Sequence, residues 1–220
     1  MPNGTVDSGK IGETGATIRA MESGQLMSLA LAAVWGYLCG SVPFGLILTR
    51  LFGLGDIRKV GSGNIGATNV LRTGHKGIAA ATLILDAAKG TLAVLVARAI
   101  GGDGAAAIAG LGAFLGHVAP LWLGFRGGKG VATFIGVLLG LSWPAGLVFA
   151  ASWLAMAALF RISSLSALTA AVLATAVATV LAPAPVAIAV LTMATAIFFT
   201  HRANIEWLWR GTEPRIRLSA

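Results

Sequence analysis

Arg126-Gly127-Gly128-Lys129-Gly130 sets two cations and three glycines in the middle of an otherwise apolar stretch. The run before it closes with His117, Pro120 and Phe125, and the chain turns apolar again at Val131. Glycine lets main-chain N–H groups approach a ligand closely. Arginine grips two phosphate oxygens at once, and lysine adds a compact charge. The N–H groups at the start of the following helix favour an anion as well. Together these residue types describe a phosphate or carboxylate cradle. Taken alone, the motif reads more readily as a turn whose cations only set topology. A P-loop is excluded, because Lys129 is followed by Gly130 rather than Ser or Thr.

A second polar stretch, residues 53–76, holds Arg58, Lys59, Arg72 and Lys76 against Asp56 alone. Its segment Gly61-Ser62-Gly63-Asn64-Ile65-Gly66 fits GxGxxG on paper. That fingerprint requires a preceding strand and a βαβ unit, and here an apolar span precedes it. What survives is a glycine-rich segment whose Ser62, Asn64, Thr68 and Asn69 can supply N–H, amide and hydroxyl donors to an anion. A third polar stretch closes the chain, with His201, Arg202, Asn204 and Glu213.

These stretches need elements to hold them. The chain has 220 residues, is 56% hydrophobic and only 11% charged, where soluble domains are about 25% charged. With a mean hydropathy of +0.84, this is the composition of a polytopic membrane protein. The net charge of +8 is therefore a matter of loops at anionic lipids and substrates, not of nucleic acid. Residues 1–25 are polar and expected to be a disordered tail. Residues 26–220 are expected to form one integral membrane domain, with spans over 26–52, 77–100, 105–124, 131–141, 145–160, 164–181 and 186–200. The first span is interrupted by Gly40-Ser41-Val42-Pro43-Phe44-Gly45, and such breaks persist where protein or water satisfies the freed backbone. Ser41 then faces a polar cavity or bonds back to its own helix. Asp86 and Lys89, three apart inside the second span, read as a structural ion pair. The single cysteine, Cys39, excludes an intrachain disulfide, and three widely spaced histidines give no metal site.

Seven spans give an all-α bundle with its termini on opposite sides. With the N-terminus outside and the C-terminus inside, the outer segments hold only Lys10, Arg19 and Arg98, as the positive-inside rule demands. All three polar stretches then meet at the cytoplasmic face, where they can build one anion site. A transporter of organic phosphates would also use broken helices and intramembrane charges, but the two halves show no repeat.

In order and spacing, the motifs resemble the bacterial membrane glycerol-3-phosphate acyltransferases that take their acyl group from an acyl phosphate. The resemblance rests on residues 40–45 (GSVPFG), 61–69 (GSGNIGATN), 86–90 (DAAKG), 116–117 with Pro120, 125–133 (FRGGKGVAT), 201–205 (HRANI) and 211–213 (GTE). Arg126 stands where that family often has Lys, and Trp207 where it has a basic residue. The resemblance implies transfer of a fatty acyl chain to the 1-hydroxyl of glycerol 3-phosphate at the bacterial inner membrane. The products are lysophosphatidic acid and phosphate, the first step of phospholipid synthesis. It implies no cofactor or metal and no need for acyl-CoA or acyl carrier protein. It implies Ser41, Arg58, Lys129, His117, His201 and Asn204 as the catalytic set. It adds Ser62, Gly63, Asn64, Thr68, Asn69, Arg126, Gly127, Gly128, Gly130, Thr133, Arg202 and Glu213 as substrate-binding residues. Acyl phosphate is already activated, so positioning and charge stabilisation suffice. His201 and Glu206, five apart, offer a rival arrangement with histidine as general base.

Overall fold

In the computed structural model the chain is described from residue 8 to residue 216, with side chains from residue 22 onward. Every regular element among the described residues is helical: α1 Ser8–Gly40, α2 Phe44–Leu51, α3 Ala67–Leu71, α4 Lys76–Val118, α5 Val131–Leu141, α6 Trp143–Phe160, α7 Ser163–Leu181, α8 Ala184–Thr200 and α9 Arg202–Trp209. Short 3-10 turns lie at Ile57–Lys59 and Leu121–Leu123. From Ser8 the backbone expected to be a structureless tail continues α1 instead. Extending an existing helix needs no new nucleus, and no proline interrupts residues 8–40. Residues 1–7 of the expected tail lie outside the described residues.

Among the described residues, four stretches are long and apolar enough to cross a bilayer: Glu22–Leu51, Lys76–Leu123, Trp143–Phe160 and Ser163–Leu181. The pair α8 and α9, bent by 60°, makes a fifth when counted as one span. With 11 residues, α5 is about 16 Å long, short of the roughly 30 Å of hydrocarbon.

α4 is not one rod. Gly101 (φ −135°, ψ 15°) and Gly102 (φ 68°, ψ −163°) break its helical angles. Straight, 28 residues would separate Lys89 from His117 by about 42 Å, yet Lys89 Nζ lies 3.0 Å from His117 Nδ1. The limbs 76–100 and 103–118 therefore fold back on each other. The first follows the expected span 77–100, and the second ends at Val118, short of the expected 105–124, the chain continuing into the loop from Ala119. Arg98 sits beside the turn, pairs with Asp103 at 3.0 Å and caps the end of α5 through Gly140 O (2.5 Å) and Leu141 O (3.1 Å).

Small residues set the helix spacing. A Cβ on Gly36 or Gly40 of α1 would collide with the α4 backbone at Ala109 or Ala113, and one on Gly136 of α5 with Ala87. Lipid tails are as apolar as leucine, so close packing rather than water exclusion joins these helices. Phe134 fills the centre, edge-on to Phe114 at 6.4 Å and to Phe149 at 5.6 Å. Leu26, Val180 and Leu159 point outward. Gly40→Val is expected to cost about 1–3 kcal/mol through overpacking, read as a lower melting temperature in detergent. Gly24→Val, where a Cβ meets nothing, is expected to leave it unchanged.

Pro43 ends the break between α1 and α2, and the carbonyls freed there are met by protein. Trp122 Nε1 donates to Ser41 O (2.9 Å) and Lys89 Nζ to Val42 O (2.7 Å). This ties the break to the polar centre of the bundle.

Candidate active site

The loop from Ala119 to Gly130 is folded onto the end of α4. Gly127 N donates to Val118 O at 3.0 Å and Gly128 N to His117 O at 2.9 Å. These two N–H groups, expected to face an anion, close the loop instead. Glycine is needed at 128 because a Cβ would overlap the His117 ring at Nε2. It is needed at 130 because φ is +88° there. What the loop presents is Lys129 and the free first turn of α5. Within that turn Thr133 is fully buried, and its Oγ1 has no partner among the described residues.

Lys129 anchors one cluster. Its ammonium donates to Asn204 Oδ1, and its carbonyl accepts from Thr200 Oγ1 at 3.0 Å. Asn204 Nδ2 donates to Glu213 Oε1 at 2.6 Å, which also accepts from Ser164 Oγ at 2.6 Å. Glu213 Oε2 is buried without a partner among the described residues. The start of α7, the end of α8, α9 and the segment after it thus converge on one lysine. Burial pushes the Lys129 ammonium below its ordinary value, Glu213 opposes that, and Arg72 adds to it. An arriving anion supplies the charge that such an ammonium lacks. Beside it, His201 is buried and its Nδ1 lies 2.8 Å from Ile197 O. A carbonyl only accepts, so Nδ1 carries a proton and Nε2 is left as the open ring nitrogen.

Behind Gly128 lies a second cluster. Lys89 Nζ reaches Asp86 Oδ1 (2.7 Å), Val42 O (2.7 Å) and His117 Nδ1 (3.0 Å), and the three side chains are buried. The expected ion pair of Asp86 and Lys89 is present, and His117 is joined to it.

The glycine-rich stretch 61–69 is organised by Asn69. The two hydrogens of its Nδ2 are shared among the carbonyls of Ile57 (3.1 Å), Val60 (2.9 Å) and Asn64 (2.8 Å), and its Oδ1 accepts from Ser62 N (3.1 Å). Asn64 Oδ1 accepts from Gly66 N at 2.9 Å. The Asn69 amide and the Asn64 side-chain oxygen are therefore committed to shaping the loop, with Ser62 and Gly63 exposed on it. Thr68 Oγ1 meets Ser163 Oγ at 3.2 Å, joining this loop to the start of α7. Arg58 is held by Asp56 through Nε at 2.9 Å and a second nitrogen at 2.5 Å. That guanidinium keeps the Asp56 carboxyl well below the usual carboxylate range.

Other candidates stand apart. Ser41 Oγ donates to Tyr37 O at 2.6 Å, back to its own helix. Arg126 is exposed. Arg202 donates to Phe199 O at 3.3 Å and closes one end of an apolar groove of about 520 Å³ between α7 and α8. Glu206 pairs with Arg210 at 2.5 Å on an exposed face, so it does not orient His201 and the rival His201–Glu206 arrangement is not formed. Ser164 and Thr200 join the Lys129 cluster without having been singled out, and Arg72, named only among the cations of residues 53–76, adds its charge there. For Ser164 a signal was available: it follows Arg161 in a turn on the cation-rich face. Among the described residues, no group of histidine, cysteine and carboxylate side chains could hold a metal ion.

An all-helical integral membrane protein that gathers a half-buried lysine, amides, hydroxyls and a carboxylate at its helix ends is built to handle an anionic substrate within reach of lipid. Residues 30–211 match the family model for glycerol-3-phosphate acyltransferase. A glycerol-3-phosphate acyltransferase of Mesorhizobium japonicum is 61% identical over 188 residues, covering 86% of this chain and 96% of the relative. One from Agrobacterium fabrum is 60% identical over 188 residues, 86% of this chain and 92% of the relative. The crystal structure of PlsY, an integral membrane glycerol 3-phosphate acyltransferase, superposes in its glycerol 3-phosphate form with a TM-score of 0.82 at 36% identity, over 86% of this chain and 96% of that one. Its lysophosphatidic acid form gives 0.80 at 34% identity, over 86% and 95%. The chain belongs to the glycerol-3-phosphate acyltransferase family.

Proposed function

We propose that this enzyme transfers a fatty acyl chain from a long-chain acyl phosphate to the 1-hydroxyl of glycerol 3-phosphate. The products are 1-acyl-glycerol 3-phosphate and phosphate, in the first step of phospholipid synthesis. One observation supports the donor in particular: the site offers no histidine-activated serine or cysteine. Ser41 donates its hydroxyl to Tyr37 O, which cannot take the proton, and among the described contacts neither His117 nor His201 is bonded to a serine or cysteine. Direct transfer then needs a donor that is already activated. The glycerol oxygen attacks the acyl carbon, the bond from that carbon to the phosphate oxygen breaks, and the hydroxyl proton passes to a phosphate oxygen. Lys129 holds phosphate charge through this step, Asn204 and Glu213 fix its ammonium, and positioning and electrostatics supply the acceleration. His201 and Asn204 face the acceptor, Arg202 and the loop 61–69 contribute further positive potential and donors, and no metal, acyl-CoA or acyl carrier protein is required.

In this reading the chain crosses the bacterial inner membrane seven times, with the two limbs of α4 as separate spans, the N-terminus outside and the C-terminus inside. The single membrane domain covers residues 26–220. Arg58, Arg72, Arg126, Lys129, Arg161 and Arg202 then share the cytoplasmic side with the site, which the positive-inside rule favours.

The test uses purified protein in lipid, glycerol 3-phosphate, and either palmitoyl phosphate or palmitoyl-CoA, without added metal. Acceptor-dependent phosphate release, matched by lysophosphatidic acid and confined to the phosphate donor, is expected. Product from the CoA donor alone would overturn the donor assignment. Glycerol 3-phosphate flux across liposomes without acylation would replace the enzyme by a transporter.

A further inference from the structure

The buried Asp86–Lys89–His117 cluster has a fixed direction. Lys89 lies within 3.0 Å of three acceptors: Val42 O, Asp86 Oδ1 and His117 Nδ1. An ammonium has three hydrogens and accepts none, so each is spent. A carbonyl and a carboxylate can only accept, and the third contact therefore has His117 Nδ1 accepting. The reverse bond, Nδ1–H to Asp86, fails on distance: Nδ1 is 3.7 Å from Oδ1, beyond hydrogen-bonding range. A ring whose Nδ1 accepts is neutral and carries its proton on Nε2. That nitrogen is at the end of the ring that abuts Gly128, the residue before Lys129.

We propose that Asp86 and Lys89 are positioning residues that lock His117 as the Nε2–H tautomer. This makes it an obligate hydrogen-bond donor across Gly128 into the Lys129 pocket, and bars it from acting as a base. Asp86 balances the Lys89 charge, and Val42 O fixes its third hydrogen, so the α1–α2 break is part of the device. The partner that this donor fits is an oxygen carrying negative charge, on a phosphate or on the developing acyl oxyanion, next to Lys129. His201 is held in the opposite sense, with Nδ1 donating to Ile197 O and Nε2 open. The donor role rests on the acyl-transfer reading above; the tautomer does not.

The first measurement is ¹⁵N NMR of the full-length protein, labelled at histidine, in lipid at pH 7 without substrate. His117→Gln identifies the signal. A protonated Nε2 and a bare Nδ1 are expected, and the double variant Asp86→Asn/Lys89→Met, which leaves no lone buried charge, is expected to lose that preference. A protonated Nδ1, or a doubly protonated ring, would overturn the lock even if the variant fails to fold. The second measurement is turnover with glycerol 3-phosphate and palmitoyl phosphate. The His117→Gln amide reaches the place of Nε2 and is expected to keep activity within about tenfold. The His117→Asn amide reaches only Nδ1 and is expected to lose about 10²–10³-fold, the usual effect of removing one oxyanion donor. Equal losses in both would overturn the donor role. A wild-type enzyme silent with both acyl donors, yet showing the Nε2–H tautomer, would sink the acyl-transfer reading and leave the lock standing.

Discussion

Lys129→Ala is expected to lower turnover by about 10²–10³-fold, the range for removing one preorganised charge-stabilising donor, while the protein stays folded. Both halves follow from the surroundings. Lys129 is half-buried, and burial holds its ammonium below its ordinary value. A cation poorly supplied with water interacts strongly with an incoming phosphate, because the local dielectric is low. The other cations do not replace it: Arg58 is engaged by Asp56, Arg126 is exposed, and Arg72, whose charge reaches Lys129, is turned to Asn69 Oδ1. The fold, by contrast, does not hang on this side chain. Without it, Glu213 still accepts from Asn204 and Ser164, and the loop is closed by the backbone bonds of Gly127 and Gly128. Lys129→Arg is expected to recover only part of the activity, since the planar guanidinium delivers the same charge in a different shape. Phosphate release and melting temperature, measured on the same preparations, separate the two effects. A folded and fully active Lys129→Ala enzyme would remove Lys129 from the site.

Residue types were legible in the sequence; bond directions were not. Hydropathy alone placed residues 131–141 and 164–181 almost on α5 and α7, because a helix held at membrane depth has to be apolar along its length, whether it meets lipid or other helices. The glycines 101 and 102 that fold α4 back fell in the gap between two expected spans. The pairing of Asp86 with Lys89 was legible too, since two ionisable groups one turn apart at that depth have few other options. Their attachment to His117 was not, because it depends on the hairpin that brings residue 117 back to residue 89. The same limit governs the loops. Glycine at 127 and 128 signals close approach, but only the loop's fold onto α4 decides whether the approaching atom is a ligand's or Val118 O. Asn69 in a glycine-rich segment looks like a donor for an anion, yet three neighbouring carbonyls already take its amide. Ser41 shows the converse, with the plain alternative of a hydroxyl bonded to its own helix realised. His201 and Glu206, suggestive in spacing, are parted because Arg210 lies one turn beyond Glu206 and takes its carboxylate.

Gly128→Ala is the smallest change expected to disable the enzyme. The added methyl would occupy the space of His117 Nε2, and neither side can yield cheaply. The ring is held at Nδ1 by Lys89, and the backbone of residue 128 is bonded to that of residue 117. The relief left is a shift of the loop, which moves Lys129, the next residue, relative to Asn204. A displacement near 1 Å costs about 10²-fold in rate where catalysis depends on positioning, and overpacking adds a loss of about 1–3 kcal/mol in stability. Gly77→Ala, in open space at the start of α4, is the control and is expected to change neither. The pair Gly128→Ala with His117→Ala separates the two losses. Removing the ring makes room for the methyl, so the melting temperature is expected to recover relative to Gly128→Ala alone, as coupling between touching residues requires. Turnover is expected to stay low, because the donor at His117 has gone with the obstruction. If instead the single variant Gly128→Ala were as active and as stable as wild type, the close contact between this loop and His117 would not exist in the working enzyme, and the donor geometry built on it would fall with it.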